Sequence, residues 1–150
     1  MKHKKILFVC TGNTCRSPMA EAAFKAELKR KRIRWFTVQS AGLQAETGGG
    51  MNPNSKQALT EAKIPFSDTF TSRQLKDEMI KEAYAVVCMT ESQCRALEKY
   101  SNVTSFYRLA GKEIPDPYGK SIDIYRETLR GIRECFPKII KGLKLDSVEE

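Results

Sequence analysis

A cysteine and an arginine whose side chains could act together on a phosphoryl group stand near the start of the chain. The segment CTGNTCR places Cys10 and Arg16 six positions apart, with Gly12 and Asn13 between them. A loop of this kind can enclose an anion, because its successive backbone N–H groups point inward. The planar guanidinium of Arg16 can bind two oxygens of a phosphoryl group, and the positive field favours the thiolate of Cys10. That thiolate can attack phosphorus and form a phosphocysteine.

The elements on either side of this loop must hold it in place. Residues 5–10 (KILFVC) are apolar and predict a buried strand that ends at the cysteine. Ser17 is a favourable N-cap and Pro18 suits the first helical position, so a helix is expected to begin at Ser17. The positive end of that helix would face the same anion. The alternative is a strand-end cysteine followed by an ordinary capped helix, because the bare spacing also occurs by chance.

Strands and helices alternate along the rest of the chain. The hydrophobic pattern predicts further strands over 36–40, 83–89 and 103–109, and helices over 54–62, 90–100 and from 122 onward, with Pro137 bending the last helix. The segment 44–52 contains three consecutive glycines and is expected to be a mobile loop. Such alternation indicates one α/β domain over residues 1–150, with a parallel sheet between helices on both faces. In such sheets ligands bind beyond the carboxyl ends of the strands, where Cys10 stands.

Composition limits the classes of protein that remain. A chain of 150 residues with a hydrophobic fraction of 41% suits one domain, and no apolar run approaches the roughly 18 residues of a membrane span. The run at 6–10 is too short for a signal-peptide core, so a cytoplasmic protein without membrane contact is expected. The five cysteines are odd in number, which favours a reducing compartment over a disulfide framework.

The net charge of +8 permits two interpretations. It can attract anionic substrates such as phosphorylated proteins, or it can belong to an ordinary solvated basic surface. Nucleic-acid binding is not expected, because the basic cluster at 29–34 lacks interleaved aromatics and a recognisable motif.

The segment CTGNTCRSPMAE at 10–21 resembles the signature of the low-molecular-weight protein-tyrosine-phosphatases. Related segments follow over nearly the whole chain, namely SAG at 40–42, SRQL at 72–75, VVCMTES at 86–92 and DPYG at 116–119. The resemblance implies a four-stranded parallel sheet flanked by helices, with the phosphate loop after the first strand. It also implies a phosphocysteine intermediate, phosphorylated proteins as substrates, inorganic phosphate as product, and neither a metal nor another cofactor.

The leaving group needs a proton donor, and the second step needs a base that activates water. From the local sequence IPDPYG alone, Asp116 is interpreted as part of an Asp-Pro turn. The resemblance implies instead that Asp116 is the general acid. His3 is the only histidine and precedes the first strand, so a Cys–His dyad is not expected. Phe70 stands where the family commonly has a supporting histidine. The resemblance offers Ser17 and Ser40 as groups that bond the loop or the thiolate.

The resemblance also assigns the residues around the phosphoryl group. The loop residues expected to surround it are Thr11, Gly12, Asn13, Thr14 and Cys15, and Tyr118 is expected at the rim. In the family a cysteine at the position of Cys15 can form a reversible disulfide with the nucleophile, the alternative here being a small loop residue. The remaining cysteines, Cys88, Cys94 and Cys135, are expected in or near the core.

Phosphotyrosine and phosphoarginine both remain as substrates. CTGNTCRS and DPYGKSIDIYRET resemble the bacterial protein-arginine phosphatases, and Thr14 stands where tyrosine-specific members usually carry a larger aliphatic residue. Glu46 near the rim would suit a guanidinium, whereas CMTES and SRQL are tyrosine-phosphatase features.

Three other functions stay open. A thioredoxin-coupled arsenate reductase would use Cys88 and Cys94 as a disulfide relay. A phosphoprotein-binding module would work without turnover, although binding alone needs neither Cys10 nor Asp116. A basic nucleic-acid binder is the third.

Overall fold

A computed structural model describes residues 3–147 of the chain. Four parallel strands form one sheet in the order β2-β1-β3-β4: β1 (Lys4–Cys10), β2 (Phe36–Gly42), β3 (Ala85–Cys88) and β4 (Val103–Ser105). The helices are α1 (Arg16–Arg30), α2 (Pro53–Glu61), α3 (Asp77–Glu82), α4 (Glu91–Ala96), α5 (Phe106–Ala110) and α6 (Ile122–Gly142). The predicted α/β fold with a four-stranded parallel sheet is confirmed.

The sheet is covered on both faces, which explains why its strands are nearly continuous apolar runs. Side chains of β1 alternate between two apolar clusters. Ile6 and Phe8 pack in the cluster that includes α1 and α6, whereas Leu7 and Val9 pack in the cluster on the opposite face. Because all four strands are parallel, their carboxyl ends lie along one edge, and Cys10 ends β1 at that edge.

The N-cap and the first residue of helix α1 both lie two positions earlier than the sequence predicts. Its first residue is Arg16 and its N-cap is Cys15, without a side-chain capping bond. The expectation that Ser17 caps this helix is therefore wrong. The hydroxyl of Ser17 lies 2.9 Å from Cys10 Sγ, so it hydrogen-bonds the sulfur and does not cap the backbone N–H groups of the first turn. Pro18 still falls in that turn, where a missing N–H costs no intrahelical bond.

Short elements account for the other differences from the sequence prediction. The strand predicted over 103–109 ends at Ser105, whose hydroxyl caps α5 by accepting the N–H of Arg108 at 3.0 Å. The strand predicted over 83–89 and the helix predicted over 90–100 are also shorter, and α3 was not predicted at all. An apolar run as short as that at 103–109 does not distinguish a strand from a helical turn, because either one buries it, and α3 has no apolar pattern because it buries only Ile80.

Helix α6 is the longest element and the most clearly patterned. Its side chains Leu129, Ile132, Phe136 and Ile139 are buried on one face, as their helical spacing predicts, and Pro137 lies inside the helix. Neither α6 nor any other helix within residues 3–147 has the length and apolar composition needed to cross a bilayer.

Candidate active site

The loop between β1 and α1 curls back on the sulfur of Cys10. The backbone N–H of Asn13 donates to Cys10 Sγ at 3.3 Å, and Ser17 Oγ lies 2.9 Å from the same atom. Asn13 has a φ of +56°, in the left-handed region that asparagine tolerates better than most residues. The left-handed turn lets the loop close around the sulfur of Cys10, a residue that is only 2% exposed.

A cavity of about 210 Å³ opens at this loop and gathers most of the predicted site. Its lining residues are Cys10, Thr11, Gly12, Thr14, Cys15, Arg16, Asp116 and Tyr118. Glu46, predicted near the rim, is not among them. Chemistry rather than size distinguishes this cavity, because the grooves beside Trp35 and between α1 and α6 are larger.

Arg16 joins the phosphate loop to the loop that carries the candidate acid. Its guanidinium is 5% exposed, donates from Nη1 to the carbonyl of Ile114 at 3.0 Å, and places Nη2 3.7 Å from Asp116 Oδ2. Asp116 Oδ1 accepts the N–H of Tyr118 at 3.1 Å, which is a turn stabilised by the aspartate side chain. One oxygen of Asp116 therefore holds its loop, while the other faces the cavity.

The side chains of Asn13, Ser17 and Ser40 form a buried network and do not line the cavity. The Asn13 amide donates to Ser17 Oγ at 2.8 Å and to Ser40 Oγ at 3.0 Å, and all three residues are fully buried. Because the oxygen of Ser17 accepts this bond, the proton of Ser17 is free to be donated to Cys10 Sγ. The network thus supplies a donor to a negative sulfur.

The same network ends on residues that the sequence analysis did not single out. Ser40 donates to Glu21 Oε1 at 2.7 Å, and Arg73 Nη1 lies 3.8 Å from that oxygen. Ser72 donates its hydroxyl to the Asn13 carbonyl at 2.8 Å, and the N–H of Arg73 donates to Asn13 Oδ1 at 2.9 Å. An acidic residue inside the apolar run AEAAF was a usable signal for Glu21, and the signal for Ser72 and Arg73 was their place in the SRQL segment at 72–75.

Phe70 is half-buried and packs against the larger apolar cluster. The polar contacts that this segment makes with the phosphate loop come instead from Ser72 and Arg73. The loop is therefore supported without a histidine at position 70.

Gln93 is another contact that the sequence did not reveal. Its Oε1 accepts the N–H of Thr90 at 3.1 Å as part of a capping box at the start of α4. Its Nε2 therefore faces Thr11 and donates to Thr11 Oγ1 at 3.2 Å. The first residue after Cys10 is thus tied to the neighbouring helix.

Cys15 contacts a tyrosine that lies far along the chain. Its Sγ is 3.4 Å from the hydroxyl of Tyr125 on α6 and 3.7 Å from Thr14 Oγ1. Burial raises the pKa of the Cys15 thiol, and the hydrogen bond with Tyr125 partly opposes that rise. Burial, followed by the contact with Cys15, also raises the pKa of Tyr125. Both groups are therefore neutral near pH 7.

The cysteines outside the loop are buried, as predicted. Cys88 and Cys94 belong to the apolar cluster on the sheet face opposite to that of Cys10, and Cys135 lies in α6 within the larger cluster. Burial raises the pKa of all three thiols. Within residues 3–147, no three His, Cys, Asp or Glu side chains are grouped so as to hold a metal ion.

Phosphatases resemble this chain over nearly its whole length. The sequence profile of a family described as low molecular weight phosphotyrosine protein phosphatase matches residues 5–149. The protein-arginine-phosphatase of Bacillus subtilis (strain 168) is 35% identical over 149 residues, covering 94% of this chain and 97% of that protein. The low molecular weight protein-tyrosine-phosphatase PtpB of Staphylococcus haemolyticus (strain JCSC1435) is 34% identical over 144 residues, covering 90% and 96%. A crystal structure of a YwlE mutant from Bacillus subtilis superposes with a TM-score of 0.85 at 35% identity, covering 94% of this chain and 99% of that one.

Proposed function

Because this chain belongs to the low-molecular-weight phosphotyrosine protein phosphatase family, we propose that it dephosphorylates protein side chains through a phosphocysteine on Cys10. The observation that carries this assignment is the single cavity lined by Cys10, Arg16 and Asp116. The relatives named above are protein-arginine and protein-tyrosine phosphatases, so the general activity is that of a cysteine-dependent phosphatase.

In the first step the thiolate of Cys10 attacks phosphorus. The sulfur–phosphorus bond forms while the bond to the leaving oxygen or nitrogen breaks, and Asp116 transfers its proton to that atom. Arg16 and the inward N–H groups of the loop hold the remaining phosphoryl oxygens. The hydroxyl of Ser17, oriented by the Asn13 amide, stabilises the thiolate before the attack.

In the second step Asp116, now ionised, accepts a proton from water as the water oxygen attacks phosphorus. The sulfur–phosphorus bond breaks, inorganic phosphate leaves, and the thiolate of Cys10 is regenerated. The Asp116 side chain is 53% exposed, so water reaches it from outside the cavity.

We favour phosphoarginine over phosphotyrosine as the substrate. Thr14 lines the cavity and carries a hydroxyl that can hydrogen-bond the attacking water. A large aliphatic group at the same place would instead pack against a flat phenol ring. Tyr118 is the one aromatic residue of the lining, and it is 70% exposed.

Thr14→Ile is expected to shift this preference toward phosphotyrosine. The added aliphatic surface favours a phenol ring, and the lost hydroxyl no longer binds water, so the phosphoarginine-to-phosphotyrosine ratio of kcat/KM should fall about 10- to 100-fold. Matched peptides that differ only in the phosphorylated residue provide the measurement. Thr14→Val keeps the shape of the side chain and removes the hydroxyl, so it separates the effect of the lost hydroxyl from that of the larger aliphatic surface. A ratio that stays the same in both variants would favour the tyrosine-phosphatase assignment.

Mild peroxide is expected to inactivate the enzyme reversibly through a disulfide between Cys10 and Cys15. Peroxide oxidises the Cys10 thiolate to a sulfenic acid, and the sulfur of Cys15 then attacks it, forming the disulfide and releasing water. A dithiol should restore activity to the parent protein, whereas Cys15→Ser should lose activity irreversibly under the same treatment. Mass spectrometry of the inactive parent that finds no Cys10–Cys15 linkage would contradict this expectation.

The alternative of an arsenate reductase relay has less support. Cys88 and Cys94 are buried in the apolar cluster on the sheet face opposite to that of Cys10, whereas Cys15 lies in the same loop as the Cys10 thiol.

We assign the activity to the cytoplasm and to phosphorylated proteins. The proposed chemistry requires a reduced Cys10, and the cytoplasm is a reducing compartment. Neither a membrane nor a nucleic acid has a part in the proposed reaction.

A further inference from the structure

A cluster of positive charge lies far from the active site. Five of the six residues at 29–34 are lysine or arginine, and they span the end of α1 and the turn that leads to β2. Lys4, the first residue of β1, pairs with Phe36, the first residue of β2, so this turn lies at the amino edge of the sheet. Cys10 ends β1 at the other edge, about 20 Å away for a strand of 7 residues. Attraction of substrate to the cavity therefore does not explain this charge.

Four cations of this cluster, and Lys144, have no acidic partner among residues 3–147. Among the residues that the structure describes, Lys29, Lys31, Arg32, Arg34 and Lys144 make no ion pair within 4.0 Å, whereas Arg30 pairs with Glu27 at 2.8 Å. All five are exposed. Like charges held side by side repel one another, and an anionic partner would relieve that repulsion.

The cations border a groove with an apolar floor, the basic groove. It has a volume of about 600 Å³ and is lined by Lys31, Arg32, Ile33, Arg34, Trp35, Ile140, Leu145 and Asp146. Among the described residues of the lining there are three cations and one carboxylate, that of Asp146. Ile140 and Leu145 are buried, so the apolar surface that a ligand can contact comes from the half-buried Ile33 and Trp35. The groove thus combines positive walls with a floor that can accept an aliphatic side chain.

We propose that the basic groove is a docking site for an extended acidic segment of a partner protein, with an aliphatic residue seated on the floor. The cations of the groove favour an anionic partner. Its apolar surface favours a polypeptide, which can place an aliphatic side chain there. A bilayer fits less well, because the apolar groups lie recessed and cannot enter the lipid. A single-stranded nucleic acid would need exposed aromatic rings for base stacking, and Trp35 is half-buried with its ring 5.8 Å from that of His3.

The test uses a fluorescein-labelled peptide of sequence EEDLEELE and the full-length protein. The variant Lys31→Glu/Arg32→Glu/Arg34→Glu reverses the walls of the groove, and Arg95→Glu/Lys99→Glu/Arg130→Glu reverses the same number of exposed charges elsewhere. The first variant should bind the peptide at least 10-fold more weakly than the parent, and the second less than 3-fold. Binding to the parent should also weaken as salt is raised, because exposed charges are screened. Both variants should hydrolyse an aryl phosphate at the parental rate.

Several results would overturn the proposal. Equal weakening by the two triple variants would mean that only net charge matters, and failure of the parent to bind at 50 mM salt would exclude the site. A poly(U) oligonucleotide or vesicles containing phosphatidylserine that bind the same groove more tightly than the peptide would identify a different occupant. If the triple variant does not fold, the double variant Lys31→Ala/Arg34→Ala replaces it. This variant removes two of the cations without adding negative charge, and its peptide affinity should also be lower than that of the parent. Peptide binding does not require turnover, so its outcome is independent of the proposed phosphatase mechanism.

Discussion

Replacing Cys10 with serine is expected to lower the turnover of an aryl phosphate by at least about 10⁴-fold, because the attacking group itself is lost. The donors around this position, the N–H of Asn13 at 3.3 Å and the hydroxyl of Ser17 at 2.9 Å, stabilise a thiolate. They are not sufficient to ionise a serine hydroxyl near neutral pH. The measurement is kcat/KM with p-nitrophenyl phosphate, together with circular dichroism to show that the fold persists.

Cys135→Ser is the matched control for this experiment. Cys135 is also buried, but it lies in α6 within the larger apolar cluster, away from the lining of the cavity. The control should therefore keep kcat/KM within a few-fold of the parent, even if a buried hydroxyl lowers its stability. Substantial turnover by the Cys10 variant would remove the phosphocysteine from the mechanism.

Asp116→Asn is expected to slow substrates with poor leaving groups by about 10²–10⁴-fold and activated aryl phosphates much less. Asparagine keeps the oxygen that accepts the N–H of Tyr118, so the turn survives, but it has no acidic proton to transfer. The measurement is kcat/KM for a series of aryl phosphates of increasing phenol pKa. The dependence on leaving group should be steeper in the variant than in the parent.

Asp123→Asn is the corresponding control for the acid. Asp123 lies in the first turn of α6, 78% exposed, and pairs with Arg126 at 2.7 Å. Its replacement should leave the leaving-group dependence unchanged. If Asp116→Asn slows every substrate by the same factor, the carboxylate of Asp116 acts on binding or on Arg16 rather than as the proton donor.

Much of the site could be predicted because its chemistry is local in sequence. Cys10, the loop and Arg16 follow one another from the end of a strand to the first residue of a helix, so neighbours in sequence supply the sulfur, the N–H of Asn13 that contacts it, and the guanidinium. Helix α6 was predictable because its buried face repeats with the helical period, and β1 because a continuous apolar run suits a strand that is buried on both faces. The short elements were not predictable, because an apolar run such as that at 103–109 suits either a strand or a helical turn, and α3 buries only Ile80.

The sequence by itself determined the phosphate loop, the α/β class and the acidic candidate in the DPYG segment. Only the tertiary structure decided which distant groups meet the loop. The carbonyl of Ile114 binds Arg16 across 98 positions, and Tyr125 contacts Cys15 across 110. Such contacts depend on the order of strands and on how α6 packs beside α1, which no local pattern encodes. The basic cluster illustrates the same limit, because its composition is evident in the sequence but its position at the edge opposite Cys10 is a consequence of the fold.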